Sequence, residues 1–341
     1  MPECDSGSVH QSWEKQMKSS AIGSNVMGLF IGLMSVLILA CANLVQAAAV
    51  PYLVKDINQT FSGYGIHPSS LLDVGGVVYF VATDPTHGTE LWKSDGTEAG
   101  TVMVKDIWPG TSNSSLQYLT DVNGTLYFRA SDGVNGRELW KSDGTAVGTV
   151  MVKDIWSGTQ TSNPINLTNV NGTLYFMASD SVNGAELWKS DGTALGTVMV
   201  KDIRSGSGSS TPANLTHVNG TLYFRASDGG NGTELWKSDG TVAGTVMVKD
   251  IVAGSGSPSL NYLTNVNGTL YFVATNGVNG QELWKSDGTA AGTVMVKDIV
   301  AGSGSSSPTS LTNVNCQCRF KIDTLSHHIA DLKLIHPHCL K

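Results

Sequence analysis

"LTDVNGTLYFRASDGVNGRELWKSDGTAVGTVMVKDI" runs from Leu119 to Ile155 and holds four stretches rich in β-formers, separated by turn signals. "LTDV" leads into Asn123-Gly124, a pair suited to the left-handed dihedrals of a type I′ hairpin. "TLYFRA" reads as the second strand, "SDGVNG" as a polar loop, "ELWKS" as the third strand, "DGTAVG" as another turn and "TVMVKDI" as the fourth strand. Four short strands joined by tight turns make an antiparallel meander, which cannot bury both of its faces alone.

Neighbouring copies can cover those faces, and the chain supplies them. Trp92, Trp140, Trp188, Trp236 and Trp284 recur every 48 residues, as do Asp95, Asp143, Asp191, Asp239 and Asp287. A strict period of this size marks a repeat architecture. Hairpin turns at every strand make a parallel solenoid a poor fit, so the expectation is an all-β, β-propeller-like fold of four-stranded antiparallel blades. It comprises five full repeats plus partial terminal ones. Tyr52–Ile57 ("YLVKDI") reads as a fourth strand without a unit before it, and Ser310–Asn315 ("SLTNVN") as a first strand without a unit after it. In a closed ring the two share a sixth blade, which still lacks its second and third strands; either the tail from Cys316 supplies these or the ring stays incomplete.

"ELWKSDGT" occurs at 90–97, 138–145, 186–193, 234–241 and 282–289. In this string the chain resembles the ELWxxDGT repeat family of mainly bacterial secreted and surface proteins, over about residues 50–315. The resemblance implies a propeller-like scaffold outside the cytoplasm and brings no catalytic residue with it.

The flanks have a different character. Val26–Ala49 is largely apolar and ends in small residues, so residues 1–49 read as a cleaved signal peptide or an N-terminal membrane anchor. "LILAC" at 37–41 loosely resembles a lipoprotein box. All three readings put the body in a secreted or cell-surface location, with membrane contact only through an uncleaved N-terminus. Residues 316–341 form an unrelated tail whose cysteines and histidines match no standard zinc spacing. No cysteine lies between 50 and 315, so the body relies on no disulfide. The net charge of -7, without a basic stripe, argues against nucleic acid as a partner.

Within the repeats, the five tryptophans are expected to pack between blades rather than form sugar platforms. The "SDGT" aspartates are expected to cap turns. The Lys-Asp pairs of "VKDI" read as charged edge protection. Asp84, Asp132, Asp180 and Asp228, with Asn276 in the fifth copy, are candidate calcium ligands; no other cofactor is implied. Among the positions that vary between copies, three stand out. One holds Val81, Arg129, Met177, Arg225 and Val273; another Thr89, Arg137, Ala185, Thr233 and Gln281; the third Trp108, Trp156, Arg204, Val252 and Val300. If a ligand is bound, specificity belongs at these slots, with Arg129, Arg137, Arg204, Arg225, Gln281, Trp108 and Trp156 as the candidate contacts. The resulting expectation is a non-catalytic binding or structural module for a protein or glycan at the cell surface. The alternative is a secreted polysaccharide hydrolase, which needs an acid pair or a histidine constellation at one end of the blades.

Overall fold

The computed structural model describes residues 53–57 and 68–313. Leu53 ends one unit, and everything from Val54 onward belongs to a second. The 1–49 segment and the 316–341 tail lie outside the described residues.

The second unit contains twenty strands and, among the described residues, no helix. Sheet 1 is β1 (Ser69–Val74), β2 (Val77–Asp84), β3 (Gly88–Ser94) and β4 (Val102–Lys105). Sheet 2 is β5 (Gln117–Val122), β6 (Thr125–Ala130), β7 (Glu138–Ser142) and β8 (Val150–Lys153). Sheet 3 is β9 (Ile165–Val170), β10 (Thr173–Asp180), β11 (Gly184–Ser190) and β12 (Val198–Lys201). Sheet 4 is β13 (Ala213–Val218), β14 (Thr221–Ser227), β15 (Thr233–Ser238) and β16 (Val246–Lys249). Sheet 5 is β17 (Asn261–Val266), β18 (Thr269–Ala274), β19 (Glu282–Ser286) and β20 (Val294–Met295). Every sheet is an antiparallel meander in sequence order, and the repeat is thus a propeller-like blade. The hairpin at Asn123-Gly124 has φ of 53° and 84°, the pair of positive values that a type I′ turn requires.

Strand 2 of each repeat carries three or more consecutive apolar residues, as at Leu126-Tyr127-Phe128, because both faces of the sheet are covered. In β6, Leu126, Phe128 and Ala130 pack backwards against Tyr79, Leu91 and Val104 of sheet 1, together with Trp140. Tyr127 points the other way and joins Leu139 and Val152 against Leu174, Phe176 and Trp188 of sheet 3. The same interleaving recurs between sheets 3 and 4 and between sheets 4 and 5. The first strands β1, β5, β9, β13 and β17 touch in succession. The five repeat tryptophans are buried, as expected of an inter-blade core.

Polar ties reinforce the stack. Lys93, Lys141, Lys189 and Lys237 each donate to the Asp-Gly turn of the next sheet, Lys93 reaching Gly144 O at 2.9 Å. The Tyr79 hydroxyl fills the space a Cβ at Gly144 would need, so this glycine serves close approach as well as its φ of 85°. The "VKDI" lysines are not edge protection. Lys105 donates to Thr149 O of the next sheet at 2.7 Å and lies 5.9 Å from the centre of the Trp140 ring, and its counterparts Lys153, Lys201 and Lys249 donate alike. A lysine that bridges sheets was hidden because its partner lies 44 residues away in sequence.

The described parts of the expected terminal strands do not form strands. Residues 53–57 are not a strand, although Ile57 packs on Phe80 and Trp92 and Lys55 donates to Thr101 O at 2.8 Å, as the later lysines do. Residues 310–313 are not a strand either. A first or fourth strand needs a second or third strand to pair with, and none of the described residues supplies one. No described residue forms a further strand against the far face of sheet 5. Val296 is 46% exposed and Ile299 55%, against 6% and 3% for their sheet 1 counterparts Val104 and Ile107. β20 is also shorter than the other fourth strands.

Candidate functional site

A four-stranded meander has two ends. The 1–2 and 3–4 turns lie at one; the 2–3 loop and the linker to the next sheet lie at the other. The Asp-Gly-Thr-x-x-Gly turns at the first end keep their Asp, Gly and Thr in every copy, and these are engaged in structure, while the two positions after the Thr vary, with Val147, Leu195 and Val242 exposed. Asp143 Oδ1 accepts from Thr145 N and Oγ1 at 2.8 and 2.7 Å, and the other four aspartates of this set do the same. The Thr hydroxyl bond is the main cause holding each of these exposed carboxyls below the usual range.

All three variable slots fall at the second end. Slot one lies near the end of strand 2, slot two just before the repeated Glu of strand 3, and slot three directly after "VKDI". Loops and linkers there are stitched together across repeats. Thr89 N donates to Asn113 Oδ1, Gly136 N to Gly158 O and Asn163 N to Arg137 O.

The candidate contacts differ in availability. Arg129 is buried and used internally: it donates to Asn163 Oδ1 at 2.5 Å and to Gln117 Oε1, and stacks 4.9 Å from the Tyr118 ring centre. It is a structural residue of its repeat. Arg225, its counterpart two repeats on, is half-buried and donates to Leu260 O at 3.2 Å. Arg137 and Arg204 are exposed, and Gln281 is half-buried. Trp108 is half-buried against Gly133 of the next sheet, and Trp156 is half-buried. Slots one and two meet in a cavity of about 470 Å³ that includes Met177, Arg225 and Thr233. A second cavity, of about 480 Å³, lies between β1 and β5 and is lined by Leu71, Leu72, Gln117 and Tyr118 among others.

The candidate calcium ligands are occupied within their own loops. Asp132 Oδ1 accepts from Val134 N and Asn135 N, and its Oδ2 from Asn135 Nδ2. Asp180 and Asp228 repeat this pattern, and Asp84 does so with Thr86 and His87. Burial opposes ionisation of these four, but the hydrogen bonds hold their carboxyls below the usual range. Among the described residues, no group of three or more His, Cys, Asp or Glu side chains is placed to hold a metal.

Sequence reasoning passed over the glutamate of "ELW". Glu90, Glu138, Glu186, Glu234 and Glu282 are all buried. Each ties strand 3 to the following linker. Glu186 Oε2 accepts from Ile203 N at 3.0 Å and Ser210 Oγ at 2.5 Å, and Oε1 from Ser210 N at 2.9 Å. These carboxylates thereby fix the linkers that form the variable end. Burial, only partly offset by the hydrogen bonds, raises the first four, pushing Glu90 and Glu234 to about 7. Glu282, in the fifth sheet, is instead lowered, chiefly by the Ser306 hydroxyl. A raised folded-state pKa favours the native state below the unfolded value of 4.5, and that advantage is lost as pH rises through about 7. The thermal midpoint is therefore expected to fall by about 5 °C or more from pH 5 to pH 8, and Glu90→Gln with Glu234→Gln to flatten that slope. Melts at the two pH values check this.

No protein-family profile matches the chain, and no curated protein does. Among solved structures it is similar to puromycin hydrolase, at 12% identity over 67% of this chain and 46% of that one, with a TM-score of 0.39. It is also similar to the β-propeller domain of the trilobed protease from Pyrococcus furiosus, at 10% identity over 69% and 72%, with a TM-score of 0.39. For an α-L-arabinofuranosidase from Clostridium thermocellum the figures are 18% identity, 67% and 93% coverage and a TM-score of 0.30. The chain spans less than half the length of puromycin hydrolase. None of these likenesses bears on activity.

Proposed function

We propose that this chain is a non-catalytic binding or structural module, exported to the cell surface, that recognises a protein or glycan through the end of its sheets bearing the 2–3 loops and linkers. One observation carries the reading. Three slots at which arginine, glutamine and tryptophan replace smaller residues between copies all lie at this end, whereas the changes in the turns at the other end are mostly among Ala, Val and Leu, beside aspartates and glycines engaged in turn and inter-sheet bonds. A scaffold that holds its folding residues constant and changes charge and aromatic character along one rim suits a module that presents different side chains to a ligand. The alternative, a polysaccharide hydrolase, requires an acid pair or an imidazole, and the linings of the two cavities contain no carboxylate, histidine or cysteine.

Arg137 and Arg204 test the reading because both are exposed. Surface replacements usually change stability by no more than about 0.5 kcal/mol. The double variant Arg137→Ala, Arg204→Ala is expected to melt with the wild type and to lose binding to ligands that the wild type captures on a combined glycan and protein array. Unchanged array binding would speak against recognition at this end.

A further inference from the structure

The two slot-one arginines stand in contrasting surroundings. Arg129 is closed over by Gln117, Asn163 and Tyr118. Moving two repeats along, the residues at those three places are Ala213, Ser259 and Asn214. Two amide oxygens and an aromatic ring have been removed from around the same guanidinium. Ala213 and Ser259 now line the 470 Å³ cavity that Arg225 borders. Its volume falls in the range of small-molecule sites, roughly 300–1,000 Å³. Beyond the bond from Nη1 to Leu260 O, Arg225 has no side-chain partner among the described residues, and no carboxylate neutralises it.

The rest of the lining is amphipathic. Ile165, Met177, Pro212 and Leu260 supply apolar surface. Hydroxyls come from Thr211, Thr233, Ser257 and Ser259, and an amide from Asn166. Asn166 Nδ2 and Ser257 Oγ are tied to the cavity wall, the first donating to Pro212 O at 3.2 Å and the second accepting from Thr233 N at 2.9 Å. A guanidinium that lacks the two amide oxygens its counterpart has is matched by a ligand carrying two oxygens in one plane, a carboxylate. A lining of hydroxyls and apolar side chains matches a ring that has hydroxyl edges and C–H faces. We propose that this cavity binds a uronate residue of an acidic polysaccharide, with Arg225 holding the carboxylate. The proposal rests on the reading of this end as the recognition surface and names its ligand class.

Calorimetric titration of the full chain tests it with tetragalacturonate as the probe, and with cellotetraose and a tetraglutamate peptide in parallel. Tetragalacturonate is expected to bind in preference to the other two. Arg225→Ala is expected to weaken that binding by at least about tenfold, since charge-assisted bonds to the carboxylate are lost. Ala213→Gln restores the side chain that covers Arg129, so it should weaken binding to a similar extent without lowering the thermal midpoint. Absence of tetragalacturonate binding, equal binding of cellotetraose, preference for the glutamate peptide, or affinity untouched by both substitutions would overturn the proposal. A loss of tetragalacturonate binding in the Arg137→Ala, Arg204→Ala variant but in neither cavity variant would keep recognition at this end and remove it from this cavity. Retention of that binding in all three would overturn both readings.

Discussion

Trp188→Ala is expected to lower the thermal midpoint sharply, with a cost of about 3–5 kcal/mol. Trp188 lies between sheets 2 and 3, packed with Tyr127, Leu139, Val152 and Phe176, and the Lys153 ammonium is 6.0 Å from its ring centre. Its indole N–H finds no acceptor among the described residues, so the loss is one of packing and not of a hydrogen bond. Trp188→Phe should therefore recover a large part of the stability. An array of sheets can unfold in stages, so the relevant transition is the one in which β signal is lost. A variant that melts with the wild type would mean that the inter-sheet packing contributes little.

Glu186→Ala is expected to be nearly as damaging for a different reason. Removing the carboxylate leaves the N–H groups of Ile203 and Ser210 without acceptors in a buried place. Each buried, unsatisfied donor costs about 1–3 kcal/mol, so a total near 3 kcal/mol is expected. Glu186→Gln retains one acceptor oxygen and should cost distinctly less. Because the 204–212 linker depends on this side chain, amide exchange in that linker should accelerate in Glu186→Ala before global stability is lost. Chemical denaturation together with local exchange rates checks both statements; an Ala variant as stable as the Gln variant would contradict them.

The reach of the sequence follows from the distance over which its contacts act. Strand 2 is legible in "TLYFRA", the type I′ turn in Asn-Gly and the inter-blade core in the recurring Trp, since each depends on local pattern or on the repeat itself. Glu186 acts on groups 17 and 24 residues away, and Lys153 on a carbonyl 44 residues away, so neither periodicity nor turn chemistry marks them. One signal was present for the glutamates: a charged residue repeated without change immediately before the core Leu-Trp pair. The terminal strands failed for a related reason. "VKDI" at 54–57 has the side chains of a fourth strand and even places Lys55 and Ile57 as one, yet strand structure needs a neighbour, which a linear string does not display. The rim was half legible. The variable slots were visible as differences between copies, but the contrast between Arg129 and Arg225 depends on which residues the neighbouring sheet and linker bring against each guanidinium.

Hydrogen exchange across the full chain, with and without saturating tetragalacturonate, tests recognition at the variable rim most directly. Protection is expected at 204–213, 225–233 and 257–260, the segments that border the Arg225 cavity, with the Asp-Gly turns at 143–145, 191–193 and 239–241 unchanged. Protection at those turns, or no protection anywhere, would contradict the account.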